Sequence, residues 1–262
     1  MRVLILCGGQ GTRLREETEF RPKPLIDVGG RPILWHIMKH YARYGFREFV
    51  LLLGYKGEMI RQYFLNYHTM NCDVTVALDR PGDLRFHGTV RETDWRVTLV
   101  DTGLRSLTGA RIARAARHID GDRFLVTYGD GVTDVDLASL VRFHQQQGKI
   151  GTVTGVHAPG RFGDLTVEGD LVKHFVEKPE GTDFINGGFF IFERAVLDYL
   201  SEDEQCLLER EPLERLARAG QLSMFRHDGF WQCIDTYRDF TLLNELWESR
   251  RAPWKTWSDE AP

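Results

Sequence analysis

The chain lacks the features that mark several large function classes. Its four cysteines, at positions 7, 72, 206 and 233, form no Cys-x-x-Cys pair and no metal-finger spacing, which excludes a zinc ribbon and gives no disulfide framework. Reduced thiols in a cytoplasmic protein are the simplest expectation, and Cys7 reads as a small apolar residue at a strand end. No apolar run approaches the roughly 20 residues that a membrane-spanning helix requires. The short run at the N-terminus leads into glycines and charges, not a cleavage site, so neither a secretory leader nor a membrane partner is expected. Charge of one sign is scarce as well. Against 38 Asp and Glu there are 34 Lys and Arg, a net charge of −4, and nucleic acid is not an expected partner. With 42% hydrophobic and 27% charged residues over 262 positions, the composition is that of a globular chain long enough for one large α/β domain.

What is present begins at residue 3. Val3, Leu4, Ile5 and Leu6 form a continuous apolar run, as in a strand buried on both faces of a parallel sheet. Glycines 8, 9 and 11 follow; they permit positive φ and close backbone approach, so successive N–H groups can converge on an anion. Arg13 adds a planar charged fork, and Lys23 adds a point charge between Pro22 and Pro24. Together they suit a triphosphate. A dinucleotide fingerprint is excluded because Leu14 stands where the third glycine belongs, and the next apolar strand ends Leu53-Gly54 with no acid for a ribose. A Walker loop is excluded because Gly-Lys-Ser/Thr does not occur.

Further along, Pro32 opens a helix carrying Ile33, Leu34, Ile37, Met38 and Tyr41, which Gly45 ends. A strand at Phe49–Leu53, a helix through Met59, Ile60, Tyr63 and Phe64, and a strand at Val74–Leu78 then make a β-α-β-α-β half-unit of a doubly wound sheet. Residues 79–102 read as an inserted hairpin, a candidate for subunit contacts. The α/β order resumes with strands at Phe124–Tyr128 and Ile150–Val156 and a helix at Val135–Gln147 between them. A hairpin at Leu165–Val167 and Leu171–Val176 follows, then strands at Phe189–Phe192 and Leu222–Phe225 and helices at Pro212–Ala219 and Thr236–Glu248. No linker divides the chain, so residues 1–262 are expected to form a single domain.

Asp130 lies in Gly-Asp-Gly between a buried strand and a helix, at the sheet edge where ligands gather. Asp-Gly is a common hairpin signal, but a helix follows here and not a returning strand, which favours a role toward Mg²⁺ with its preference for carboxylate and phosphate oxygens. Asp235 precedes the last helix and taken alone reads as an N-cap. Glu177 and Lys178 before Pro179 read as solvated charges, and Asn186-Gly187-Gly188 as a tight turn.

The segments GGQGTRL with PKP, then TGAR, YGDG, EKP, NGGFF and FWQCIDT occur in the order and approximate spacing of the sugar-1-phosphate nucleotidyltransferases. The chain resembles that family along nearly its whole length. GGRPILWHIMKHY, LLLGYKGE, VTLVDTG, PGRFG and APWKTW pull it toward the branch that uses CTP and glucose 1-phosphate. Cys7 stands where the family commonly has Ala, Arg21 replaces a common Lys, and residues 79–95 differ.

The resemblance implies a Rossmann-like, mixed, mainly parallel sheet flanked by helices. It implies that Leu6, Gly8, Gly9, Gln10, Gly11, Thr12, Arg13 and Gly129 hold the nucleotide, with Lys23 on its phosphates. Ser106, Thr108, Gly109 and Arg111 would surround the cytosine, with Arg111 donating to the ring. Asp130 and Asp235 would bind Mg²⁺, Lys178 the sugar phosphate, and Glu177 and Asn186 the sugar hydroxyls. Arg13, Lys23 and Lys178 would offset charge during transfer of CMP to α-D-glucose 1-phosphate, with CDP-glucose and pyrophosphate as products. The alternatives are another pyrimidine triphosphate or hexose 1-phosphate, or a non-catalytic sugar-nucleotide-binding regulator. A homo-oligomer, a hexamer, is also implied.

Overall fold

An apolar run can serve as an interior strand only if both its faces are covered, and β1 (Val3–Cys7) shows how this chain covers them. Val3, Ile5 and Cys7 enter one core, while Leu4 and Leu6 enter the other. Each such side chain removed from water contributes roughly 1.5 to 3 kcal/mol. The structure, a computed structural model, describes residues 1–11, 14–80, 82–157, 164–168, 171–176 and 184–258.

After β1 come α1 (Arg15–Thr18), β2 (Asp27–Val28), β3 (Arg31–Pro32), α2 (Ile33–Arg43), β4 (Glu48–Leu53), α3 (Gly57–Leu65) and α4 (Tyr67–Asn71). Then follow β5 (Asp73–Val76), β6 (Leu84–His87), β7 (Arg96–Asp101), α5 (Thr108–Arg114), β8 (Arg123–Tyr128), β9 (Gly131–Thr133) and α6 (Leu137–Gln147). The last part adds β10 (Gly151–His157), β11 (Asp164–Glu168), β12 (Leu171–Val176), β13 (Phe184–Glu193), α7 (Glu211–Arg218), β14 (Leu222–His227), β15 (Trp231–Cys233) and α8 (Tyr237–Glu248). A seven-stranded sheet runs β14-β10-β13-β8-β1-β4-β7. Its pairs are parallel except where β13 meets β8 and β10, so the sheet is mixed and mainly parallel.

One strand falls elsewhere than the sequence pattern predicts. Val74–Leu78 was expected to be the third strand of the half-unit, but β5 leaves the sheet and pairs with β6 alone. The ribbon lies on the surface with neither face covered in this chain: only Val74 is half-buried, Val76 is 51% exposed and Leu78 91%, and all of β6 is exposed. The expected place of β5 in the sheet is taken by β7, which lies within the 79–102 stretch read as an insertion. The hairpin therefore spans 73–87.

The helices show their local causes. Asp136 caps α6 by accepting from Ala138 N at 2.9 Å and Ser139 N at 3.1 Å, and Gly148 ends it at φ 57°. The C-terminal segment closes over α2 by a cluster of rings: Trp254 Nε1 donates to His36 Nδ1 at 3.3 Å, and His36 Nε2 donates to the Val28 carbonyl at 2.8 Å. Burial pushes the His36 pKa down to about 4, so the ring is neutral and its tautomer is set by those two bonds. Among the described residues no helix is long and apolar enough to cross a membrane.

Candidate active site

Four parallel strands end along one edge of the sheet, and the turns after them floor the site. Cys7 is level with Leu53, Leu53 with Asp101, and Leu6 with Tyr128. Gly8, Gly54, Thr102 and Gly129 therefore begin their turns side by side. Strand β13 runs the opposite way and starts at this same edge, with Phe189 paired to Thr127, which brings Asn186 to the site.

Arg111 ties the floor together. Its Nη1 donates to the carbonyls of Leu53 at 2.9 Å and Gly103 at 2.8 Å and to Thr102 Oγ1 at 2.8 Å, while Nη2 donates to the Gly8 carbonyl at 2.9 Å. A Cβ on Gly8 would lie 2.1 Å from Arg111 Cζ, and one on Gly54 would lie 2.5 Å from Nη1. Glycine at position 8 thus makes room for a guanidinium. Of the three turn glycines only Gly11, at φ 63°, uses the left-handed region. Arg111 itself faces protein carbonyls, with burial lowering its pKa.

Ser106 and Thr108 also turn their hydroxyls inward. Ser106 Oγ donates to the Thr102 carbonyl at 2.6 Å, and Thr108 Oγ1 donates to Glu209 Oε2 at 2.5 Å. Gly109 stands against Cys206, where a Cβ would come within 2.7 Å of Sγ. Ser106, Thr108, Arg111, Leu6, Gly8, Gly9, Gly11, Lys23, Gly129 and Asp130 nevertheless line one cavity of about 240 Å³. Gln10 is exposed beside it. Asp130 borders a second cavity of about 430 Å³, whose walls include Tyr128, Asn186, Trp231, Cys233 and Asp235. Thr12, Arg13, Glu177 and Lys178 lie outside the described residues.

The two acids meet because β15 pairs with β9, setting Cys233 opposite Gly131, and because Ile234 N donates to the Asp130 carbonyl at 2.9 Å. Asp235 is not the cap of α8. That position belongs to Thr236, in a reciprocal capping box with Asp239. The Asp235 carboxylate instead meets Lys23, whose Nζ lies 2.7 Å from Asp235 Oδ1 and 2.7 Å from Asp130 Oδ2. Lys23 is aimed there by its proline neighbours. Pro22 sits at φ −67° ahead of a short 3₁₀ turn, and Pro24 packs on Gly129, where a Cβ would be 3.0 Å from Pro24 Cγ. Burial by itself lowers the Lys23 pKa, but the charges and hydrogen bonds of Asp130 and Asp235 together outweigh it, so the pKa is raised. Burial, with Asp130 and Asp235 nearby, pushes the Cys233 thiol up to about 12.

Two carboxylates that share one ammonium at 2.7 Å each can equally share a hard divalent cation. Among the described residues no group of three or more His, Cys, Asp and Glu side chains is arranged to hold a metal. An ion here would take its remaining ligands from water and substrate, which is the usual arrangement for Mg²⁺ on phosphates. Tyr128, Trp231 and Glu209 were not singled out by sequence reasoning. Tyr128 directly precedes Gly-Asp-Gly, and an aromatic residue at a strand's carboxyl end was the available signal.

A glycine turn at the carboxyl edge of a mainly parallel sheet, two acids around one lysine, and two cavities meeting there define a transferase acting on nucleotide phosphates. A family model described as nucleotidyl transferase matches residues 2–250, and the chain belongs to that family. It is 47% identical over 259 residues to a glucose-1-phosphate cytidylyltransferase of Salmonella typhi, covering 98% of this chain and all of the relative. A probable glucose-1-phosphate cytidylyltransferase of Bacillus subtilis (strain 168) is 45% identical over 257 residues, again across 98% of this chain and all of the relative. Among solved structures, HddC from Yersinia pseudotuberculosis shares the fold with a TM-score of 0.69 at 23% identity, over 94% of this chain and 99% of its own.

Proposed function

We propose that this nucleotidyltransferase moves CMP from CTP to α-D-glucose 1-phosphate, giving CDP-glucose and pyrophosphate. One observation carries the reading: Asp130 borders both cavities, and Lys23 joins it to Asp235 at their meeting point. A nucleotide in the first cavity and a sugar phosphate in the second would bring their phosphates to one charged junction. The two relatives at 45% and 47% identity support the choice of substrates.

The reaction needs no protein nucleophile. A phosphate monoester, with its second pKa near about 6, is largely dianionic at neutral pH. Its oxygen forms a bond to the α-phosphorus as the bridge to the β-phosphate breaks, and that electron pair leaves with pyrophosphate. The Gly8–Gly11 turn would orient the triphosphate, and Arg13, Lys23 and Lys178 would offset the charge of the transition state. Asn186 and Glu177 would hold sugar hydroxyls. Asp130 and Asp235 would hold Mg²⁺, which when bound neutralises phosphate oxygens. Cytoplasmic work as a homo-oligomer, a hexamer, belongs to the same reading; Val76, Leu78, Leu84 and Phe86, all exposed on or beside the β5–β6 hairpin, favour it as a subunit contact.

A matrix of nucleoside triphosphates against sugar 1-phosphates with Mg²⁺, read as pyrophosphate release, tests the reading. CTP with glucose 1-phosphate should exceed every other pair, with UTP the best of the poor nucleotides. Equal use of dTTP and CTP would overturn the nucleotide choice. No release with any pair would favour the non-catalytic regulator.

A further inference from the structure

Behind the wall that the two cavities share lies a carboxylate that no motif marks. Glu209 accepts the Thr108 hydroxyl through Oε2 at 2.5 Å and the Tyr128 hydroxyl through Oε1. The Tyr128 oxygen in turn accepts from Asn186 Nδ2 at 3.1 Å, and Asn186 Oδ1 accepts from Gly188 N at 2.9 Å. Thr108 lines the first cavity, Asn186 the second, and Tyr128 both.

The polarity of this chain of bonds follows from chemistry. An ionised carboxylate only accepts, so both hydroxyl protons point at Glu209. The phenol oxygen is then an acceptor toward the second cavity, and Asn186 must turn its Nδ2 to it. With Oδ1 on Gly188, the amide retains one N–H and one lone pair for a hydroxyl. The Tyr128 ring has little freedom to leave this pose: a Cβ on Gly188, which sits at φ 78°, would lie 2.2 Å from it. The Glu209 end is stitched down as well, by Leu208 N on Thr108 Oγ1 at 3.0 Å and Ala110 N on the Cys206 carbonyl at 3.0 Å.

We propose that Glu209 is a positioning residue that couples the two substrate cavities, setting the nucleotide wall through Thr108 and aiming the Asn186 amide through Tyr128. This rests on the assignment of one cavity to nucleotide and the other to sugar phosphate.

Steady-state kinetics of Tyr128→Phe, Glu209→Gln and the double variant test it, with calorimetric titration of each substrate alongside. Tyr128→Phe removes only the hydroxyl between Glu209 and Asn186. It should raise the KM for the sugar phosphate about five- to tenfold and leave the nucleotide KM within about twofold, the range of one net hydrogen bond. Glu209→Gln should raise both KM values. In the double variant the sugar-phosphate KM should exceed that of Glu209→Gln by less than about twofold, because both changes cut one link. Equal rises in both KM values for Tyr128→Phe, or full multiplication of effects in the double variant, would overturn the coupling. The wild-type protein is measured with its best substrate pair, so a wrong choice of nucleotide or sugar changes the pair and shows up there, while the split between variants is still read.

Discussion

The two cavities are walled by different means. The first cavity, proposed for the nucleotide, has backbone turns in its floor: those at Gly8, Gly54 and Gly103 are held in register by one guanidinium, and Gly129 lets Pro24 come close. The second cavity, proposed for the sugar phosphate, is walled by side chains gathered from three strands, with Trp231 Nε1 donating to the Gly187 carbonyl at 2.8 Å and Asn186 leaning on Tyr128. Phosphates are alike in every nucleotide, so a turn of N–H groups suffices for them. A sugar differs from its isomers only in where its hydroxyls point, and that demands directional partners held by other partners.

The largest effect should come where the walls meet. Asp130→Asn and Asp235→Asn should each lower kcat by about a hundredfold or more, as for the loss of a preorganised charge at a transition state, with the fold retained by circular dichroism. Near-normal turnover of Asp235→Asn at low Mg²⁺ would show that the junction does not serve both cavities. Next, Gly8→Ala must displace the Arg111 guanidinium, and the nucleotide KM should rise about tenfold while the sugar-phosphate KM stays near wild type. A parallel rise in both would show that the walls are not separable. The mirror change, Gly188→Ala, combines a left-handed φ of 78° with collision against Tyr128. It should raise the sugar-phosphate KM about fivefold and spare the nucleotide.

Acid should separate the walls least of all. Burial pushes the pKa values of His36 and His40 down to about 4, below an unfolded value near about 6.5. The unfolded chain takes up those protons first, so their contribution is fully present above about pH 6.5 and is lost as pH falls toward 4, by roughly 3 kcal/mol for each ring. Urea unfolding at several pH values should show this decline. Stability that instead rises as pH falls from 6.5 to 4.5 would contradict the buried neutral imidazoles.

The difference between the walls also explains what could be read in advance. A strand, a glycine turn and Pro-Lys-Pro are neighbours in the chain, so the part of the site proposed for the nucleotide was legible as a local pattern. What the local pattern could not show is the guanidinium that packs against Gly8, because Arg111 arrives from 103 residues away. The mixed sheet was legible from its buried runs, but Val74–Leu78 was placed in it because an apolar run alone does not say whether it will be buried or lie on the surface. From its local sequence alone Asp235 reads as an N-cap, and the resemblance set it beside Asp130 instead; Thr236 is the cap, and β15 pairs with β9. Tyr128 opens the YGDG segment and Glu209 lies in no quoted segment, but the bond between them forms only when β8 and the segment before α7 come together.

The most direct test of the central claim is calorimetric titration of CTP with Mg²⁺ into wild-type protein and Asn186→Ala, paired with their KM values for glucose 1-phosphate. The account predicts CTP affinity within about twofold of wild type and a glucose 1-phosphate KM about tenfold higher, the loss of a hydroxyl partner on one wall only; Lys178→Ala should show the same split. A variant at either position that loses CTP binding while keeping its use of the sugar phosphate would contradict the division of the site into two cavities with different substrates.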